Sequence, residues 1–454
     1  MAASRERWTL AKQNLQQLID DGPLGAYQLV TILICAVIGL LDGFDVQSIA
    51  FVAPSIAREW GIAPASFGPI FAAGIIGGLL GALPFGAIAD QLGRRRCLII
   101  VLAVIASGTL ATPFTRSREE LLACRLISGF GLGGVLPCIV ALTMEYAPKR
   151  MRVFSATAMF CSFPLGAVLG GTIAGALITA HNWRSVFWIG GTAPLLLLPL
   201  VALRLPESLA WLARRGKEAE VTRIVGRLAR QDAWDGHLGI TFEPPRPGGS
   251  LLEVARNGRG YVTLLFCMAF FVSLLLSYLL VNWVPTIAVQ SGATIRQGAL
   301  ASAMLNLASI IGALSIARIG DRLAPNAVVA GGYGIGAVGV LGLSAMATFS
   351  PPIFLFSFVA GFFCIGAQMT LVSLSSAYYP VEIRASGIAV VGSVGRLGAV
   401  TGPLLGGFLV DAHNPSRTLA WTTAACASIA GMAIWLVHRH QTLPTRAIER
   451  ARPL

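Results

Sequence analysis

Charge is what this sequence has least of. Of 454 residues, 12% are Asp, Glu, Lys or Arg, about half the share of an ordinary soluble domain. So small a fraction does not cover the surface of a soluble body this long. A cytosolic enzyme and a disordered chain are both excluded on that ground. The five histidines, His181, His237, His413, His438 and His440, fall in loops or at helix ends and are poorly placed as metal ligands. None of the eight cysteines forms a CxxC pair, and each lies in an apolar run. They read as small buried hydrophobes, so neither a disulfide framework nor a zinc site follows. No Walker A, HExxH or nucleophile-elbow pattern occurs, so ATP drive and the common hydrolase chemistries have no footing. Gly129-x-Gly131-x-x-Gly134 matches a dinucleotide fingerprint letter by letter. It sits in an apolar run with no strand before it and means close helix packing.

What is present is apolar and basic. Hydrophobic residues make up 55% of the chain, glycines number 51, and the formal net charge is +13. A membrane-crossing helix needs roughly 20 mostly apolar residues. Twelve such stretches are predicted: 27–53, 66–89, 97–114, 119–146, 153–180, 185–204, 260–289, 297–317, 326–347, 352–379, 385–410 and 417–438. The chain then divides into a polar segment 1–26, a six-helix half 27–204, a loop 205–259, a second six-helix half 260–438 and a tail 439–454. The polar start lacks the short apolar core of a signal peptide. The loop holds a charged helical piece from Glu207 to Arg230 and a Pro/Gly-rich linker around Pro244–Gly249. The expected fold is therefore an all-α membrane protein with twelve transmembrane helices in two pseudo-symmetric halves.

The basic residues orient it. With the N-terminus inside, cytoplasmic pieces hold 26 of the 34 Lys and Arg, ten of them around the central loop, and outer connections hold six. That asymmetry puts both termini in the cytoplasm. It also removes the nucleic-acid reading, because the charge is spread over many short loops. Two arginines remain, Arg125 and Arg396, both inside apolar stretches.

The halves repeat. Asp90 and Asp321 are 231 residues apart, and Pro148 with Arg152 recurs as Pro380 with Arg384 at an offset of 232. At that same offset Leu165-Gly-Ala-Val168 recurs as Leu397-Gly-Ala-Val400. Carriers built from parallel repeats bind substrate near midplane at the repeat interface. Arg396 corresponds to Pro164 in the first half, so the repeated architecture does not itself require an arginine there.

These residues resemble the major facilitator superfamily. The loop Gly86-Ala-Ile-Ala-Asp90-Gln-Leu-Gly93-Arg94-Arg95-Arg96 is similar to its signature between helices two and three, with Gln91 where a basic residue is usual. Arg125-Leu-Ile-Ser-Gly129-Phe-Gly131 resembles its fourth-helix motif, and Leu205-Pro-Glu-Ser208 fits after helix six. Within the superfamily the resemblance is to bacterial aromatic acid:proton symporters. It is carried by Leu41-Asp42-Gly43-Phe44-Asp45, Asn282-Trp283-x-Pro285, Ile383-Arg384-Ala-Ser-Gly387 and Val394-Gly-Arg396-Leu-Gly398. The resemblance implies import of an aromatic carboxylate with protons across a bacterial cytoplasmic membrane, with no cofactor beyond the proton gradient. The preference for Arg (31 against three Lys) fits a GC-rich bacterial genome.

The intramembrane charges supply the candidate chemistry. A charge near the bilayer centre costs about 3 kcal/mol on insertion scales and normally faces a polar cavity. Asp42 and Asp45 share one helix face. Burial favours a protonated carboxyl, a second carboxylate adds to that, and an arginine opposes it. Arg keeps its proton and offers a planar fork to a carboxylate. Arg396 lies about 18 Å along its helix from Arg384, close to midplane. Two readings stay open. Asp42 or Asp45 carries the proton while Arg396, with Arg125, binds the substrate, or the aspartates neutralise the arginines structurally.

Further candidates are weaker. Trp283 either stacks on a substrate ring or marks the membrane interface, with Asn282 beside it. Tyr278, Asn306 and Gln368 donate to ring substituents or to neighbouring helices. Gly86, Asp90, Gly93, Arg94, Glu145, Asp321, Arg322 and Arg384 form a candidate cytoplasmic latch, Glu145 by pairing with loop arginines. The second copy lacks the Gly-Arg-Arg tail and should latch more weakly. Two rivals remain at this level: a proton symporter for a non-aromatic organic acid, and a membrane sensor on the same fold. The short tail after His438 argues against the sensor. No catalytic constellation is visible, so an enzyme is not expected.

Overall fold

A computed structural model describes residues 19, 24–228, 254, 259–346, 351–380 and 383–450. The linker around Pro244–Gly249 and most of the N-terminal polar segment lie outside the described residues. Among the described residues every regular element is a helix. Helix is the expected answer for so apolar a chain, because hydrocarbon offers backbone N–H and C=O groups no outside partner.

Among the described residues twelve helices are long and apolar enough to cross a membrane. In order they are Ala26–Trp60, Pro64–Leu92, Arg94–Phe114, Arg118–Tyr146, Lys149–Ala180, Arg184–Arg204, Gly260–Gln290, Ile295–Gly320, Pro325–Gly342, Ile353–Tyr378, Ser386–Val410 and Pro415–Gln441. They are called the first to twelfth spans below. The first runs seven residues beyond its expected end at 53, through Pro54. The last helix continues past His438 to Arg450. The tenth contains a π-helical stretch, Ala360–Ile365.

Local sequence fixes several ends. Ser117 caps the fourth span by accepting from the Glu120 N–H, with Glu119 and Glu120 in its first turn. That places negative charge at the positive end of the helix dipole. Thr294 and Gln297 form a reciprocal capping box at the start of the eighth.

The duplication has a packing cause. A Cβ at Gly166 would strike the Leu40 carbonyl, so the fifth span touches the first backbone to backbone. At Gly398 a Cβ would strike the Phe271 carbonyl, so the eleventh span touches the seventh in the same way. These are the glycines of the two Leu-Gly-Ala-Val segments. Lipid supplies no hydrophobic force between helices, so close backbone approach through small residues is a principal means of joining them. Gly43, between the two aspartates, meets the Phe163 carbonyl and completes the contact of the first span with the fifth.

The described residues form two compact units. One gathers those of Met1–Val46, Ala73–Ala167 and Phe187–Pro245. Its core includes Ile34, Ile38, Leu98, Val101, Val135, Leu142, Trp211 and Leu212. The short helices Leu209–Arg214 and Glu218–Leu228, between the sixth and seventh spans, belong to this unit and bury Trp211, Leu212, Val221 and Ile224 in that core. The other unit gathers Gln47–Ala72, Val168–Val186 and the described residues of Arg246–Leu454. It thus contains the end of the first span, the start of the second and the end of the fifth together with the described residues of the second half of the chain.

Candidate functional site

The first span carries both candidate carboxylates, and their surroundings differ. Asp45 is 1% exposed. It accepts a hydrogen bond from Thr109 Oγ1 at 2.5 Å. Arg125 Nη1 lies 3.6 Å from its second carboxylate oxygen and 3.4 Å from its backbone carbonyl. Arg125 also donates to Thr112 Oγ1 at 3.4 Å and stacks over the Phe187 ring, 5.2 Å from its centroid. The third and fourth spans thus converge on Asp45, and the sixth packs on its arginine. Loss of either partner of this buried pair would strand the other charge in low dielectric.

Asp42 lies one turn further in. It is buried, and among the described residues no hydrogen bond or ion pair reaches its carboxylate. Of the two readings left open for the aspartates, Asp45 thus has the surroundings of a structural pair. Asp42 has no such pair among the described residues.

Arg396 is the converse case. It is exposed on the eleventh span, and among the described residues no acceptor meets its guanidinium. Gly395 and Gly398 beside it pack against Leu274 and Phe271 of the seventh span. The large apolar exposed residues of the eleventh span are Leu397, Leu404 and Phe408. Arg396 sits roughly 100° around the helix from Leu397. It lies at the edge of the exposed arc, on the side of Ala389 and Ser393.

The remaining candidates divide. Trp283 is 0% exposed. Its indole N–H donates to the Pro403 carbonyl at 2.9 Å, and its ring stands edge-on to Phe71 with centroids 5.2 Å apart. In this arrangement it is packed among the second, seventh and eleventh spans, with no open face for a substrate ring. Asn282 is buried and donates to the Tyr278 carbonyl one turn back, at 2.7 Å. Tyr278 and Gln368 are half-buried, Gln368 three residues beyond the π-helical stretch. Asn306 takes the neighbouring-helix alternative. Its Nδ2 donates to Gln47 Oε1 at 3.0 Å, and Gln47 Nε2 donates back to Asn306 Oδ1 at 3.0 Å.

Between the second and third spans, Arg94 pairs with Asp90 at 3.1 Å. Asp321 and Arg322 are exposed and without an ion pair among the described residues. Arg384 starts the eleventh helix and reaches back to the Tyr379 carbonyl, 3.3 Å away. Glu145 accepts from Ser208 Oγ at 2.8 Å, and the charge of Arg94, from the loop motif, acts on it without a direct ion pair among the described residues. A Cβ at Gly86 would meet nothing within 4 Å, so its place in the loop motif has no steric cause in this arrangement. Gly93 does have one: its φ is +100°, and Glu207 occupies the space a side chain would need.

Glu207 is the residue sequence reasoning passed over. One carboxylate oxygen accepts from Arg95 N at 3.1 Å and from Ser208 N at 2.9 Å. It therefore caps the third span from a distant loop, an anion at a helix N-terminus. Tyr146 Oη donates to its carbonyl at 2.8 Å, and Trp211 Nε1 donates to the Asp90 carbonyl at 3.0 Å. The Leu-Pro-Glu-Ser motif was the available signal, but its partner lies 112 residues away. Among the described residues no three His, Cys, Asp or Glu come together as a metal site would need.

Comparison with known proteins places this geometry. The Major Facilitator Superfamily model matches residues 35–349 and 265–453. A gallate transporter of Pseudomonas putida is 34% identical, with 88% of this chain and 89% of the relative covered. A 4-hydroxybenzoate transporter of Acinetobacter baylyi is 35% identical, covering 91% and 93%. A 3-(3-hydroxy-phenyl)propionate transporter of Escherichia coli is 33% identical, covering 90% and 94%. Among solved structures, the xylose transporter of E. coli in a partially occluded inward open conformation aligns with a TM-score of 0.67 at 19% identity, over 90% of this chain and 98% of that one. The chain belongs to the Major Facilitator Superfamily and, within it, to the aromatic acid transporters.

Proposed function

We propose that this protein imports an aromatic carboxylate of the hydroxybenzoate or benzoate type together with protons, by alternating access, in a bacterial cytoplasmic membrane with both termini inside. The observation that carries the reading is Arg396, an arginine within a membrane span whose guanidinium meets no acceptor among the described residues. An intramembrane arginine is costly and serves function, and its planar fork is complementary to a carboxylate. The relatives' substrates, gallate and 4-hydroxybenzoate among them, support an aromatic carboxylate as the acceptor. Asp42 is the proton carrier in this reading, because Asp45 is already held by Arg125 and Thr109. The proton gradient supplies the drive and no cofactor takes part. Binding draws on the free fork, and the two halves then rock to carry substrate inward.

The test is uptake of labelled benzoates, hydroxybenzoates and phenylpropionates by cells expressing the chain, with and without a protonophore. Saturable uptake of at least one compound, abolished by the protonophore, is expected. Uptake of none, or uptake indifferent to the protonophore, overturns the proposal.

A further inference from the structure

The first span changes company at a single peptide bond: residues up to Val46 belong to one compact unit and residues from Gln47 to the other. Gln47 is the first residue beyond that point and stands two residues from Asp45. Its amide and that of Asn306 on the eighth span exchange hydrogen bonds in both directions, each 3.0 Å long. Both residues are buried. Asn306 gives its second N–H to the Ser302 carbonyl at 2.9 Å.

The surroundings of this pair are small and apolar. A Cβ at Gly171 of the fifth span would meet the Ala299 carbonyl at 2.8 Å and Ala303 at 3.1 Å. Contacts of this kind join helices through shape. In a membrane they carry little of the hydrophobic force that operates in water. The reciprocal amide pair adds directional bonds to this contact. It breaks without stranding a charge, and water can satisfy both amides once they part. A buried amide that loses only its partner is left unsatisfied, which favours separation.

We propose that Gln47 and Asn306 form the polar latch that holds the outer side of the carrier closed, and that its strength sets how often the protein faces outward. The inference rests on the alternating-access reading above. The outer tip of the first span is tied to its own half by Glu59, which accepts from Trp183 Nε1 at 2.6 Å and pairs with Arg184 at 2.8 Å. Outward opening therefore releases Gln47 from Asn306 while the tip of the span stays with the first half.

The test reads accessibility and needs no substrate. Ser302→Cys places a thiol at a buried position one turn outward of Asn306. Cells are treated with a membrane-impermeant maleimide, and the label on the chain without the reporter is subtracted. Gln47→Leu or Asn306→Leu should raise reporter labelling roughly tenfold, the worth of two neutral hydrogen bonds. The exchanged pair, Gln47→Asn with Asn306→Gln, keeps both amides and the combined arm length, and should return labelling toward the parent. If the leucine variants do not reach the membrane, Gln47→Asn alone, one methylene short, should move labelling in the same direction. Unchanged labelling in the single variants, or an exchanged pair as open as they are, overturns the latch. A chain that takes up no aromatic acid still reports its outer gate in this assay, so the latch and the substrate reading fail separately.

Discussion

Two carboxylates one turn apart on a helix look equivalent in a sequence and are not equivalent in this protein. Asp45 neutralises Arg125, and Asp42 meets no partner among the described residues. Their isosteric amides should therefore fail differently. Asp45→Asn strands the Arg125 charge and should cost about 3–5 kcal/mol of stability, the usual result of halving a buried pair. The measurement is a melting curve of the detergent-purified protein, and an unchanged midpoint would refute the structural role. Asp42→Asn should keep the parent midpoint and lose proton-driven accumulation. Exchange of internal for external substrate should persist, because exchange needs no net proton movement. Loss of exchange together with accumulation would mean that Asp42 binds substrate and does not carry the proton. Arg396 is tested by a change that preserves its charge. Arg396→Lys keeps the cation and removes the fork, so the KM for uptake should rise at least about tenfold, the worth of a good charge-assisted hydrogen bond. Surface abundance should not change, since the guanidinium meets no acceptor among the described residues. A normal KM would remove Arg396 from the binding role.

The elements were the most legible part of the sequence, for a physical reason. A membrane span is specified by about 20 residues of composition, a signal that needs no knowledge of partners. Its ends were less legible. Pro54 reads as a stop, yet the first span continues through it to Trp60, as prolines within membrane helices can allow. Side-chain roles were least legible, because each depends on a residue far away in sequence. Trp283 is set by Pro403 and Phe71, Glu145 by Ser208, Glu207 by the N-terminus of the third span, and Gln47 by Asn306. Nothing within a few positions of Trp283 separates a packed indole from a stacking platform. The repeat lies between these extremes: its letters are visible at a fixed offset, and the structure supplies the cause at Gly166 and Gly398. Gly166→Ala and Gly398→Ala should each destabilise by roughly 1–3 kcal/mol, the range for overpacking a tight contact. Gly86→Ala, with open space around it, should be neutral or slightly stabilising through helix propensity. Melting midpoints of the three variants decide this, and equal effects at all three would mean that backbone contact is not what the repeated motif serves.

At the scale of the whole molecule, the carboxylate environments bear on the stoichiometry of transport. Two aspartates in the first span permit one proton or two per substrate. With Asp45 engaged by Arg125 and Thr109, protonating it would break an ion pair and leave the arginine buried alone, whereas Asp42 can take a proton at no such cost. On the proposed roles of the two aspartates, one proton per monoanionic carboxylate is expected, a cycle that moves no net charge. Its drive is the pH difference alone, about 1.4 kcal/mol per unit, equivalent to roughly tenfold accumulation per unit. A second proton would add the membrane voltage, about 2.3 kcal/mol per 100 mV. Proteoliposomes containing the purified protein separate the two cases. Under voltage clamp, addition of the transported acid should give no current. In a flux assay the accumulation ratio should follow the imposed pH step and ignore an imposed potassium diffusion potential. An inward current, or accumulation that rises with inside-negative voltage, would mean that Asp45 releases Arg125 during the cycle and takes a proton itself. The ion pair would then be a moving part of the carrier, and the stability loss expected of Asp45→Asn would be accompanied by loss of the current.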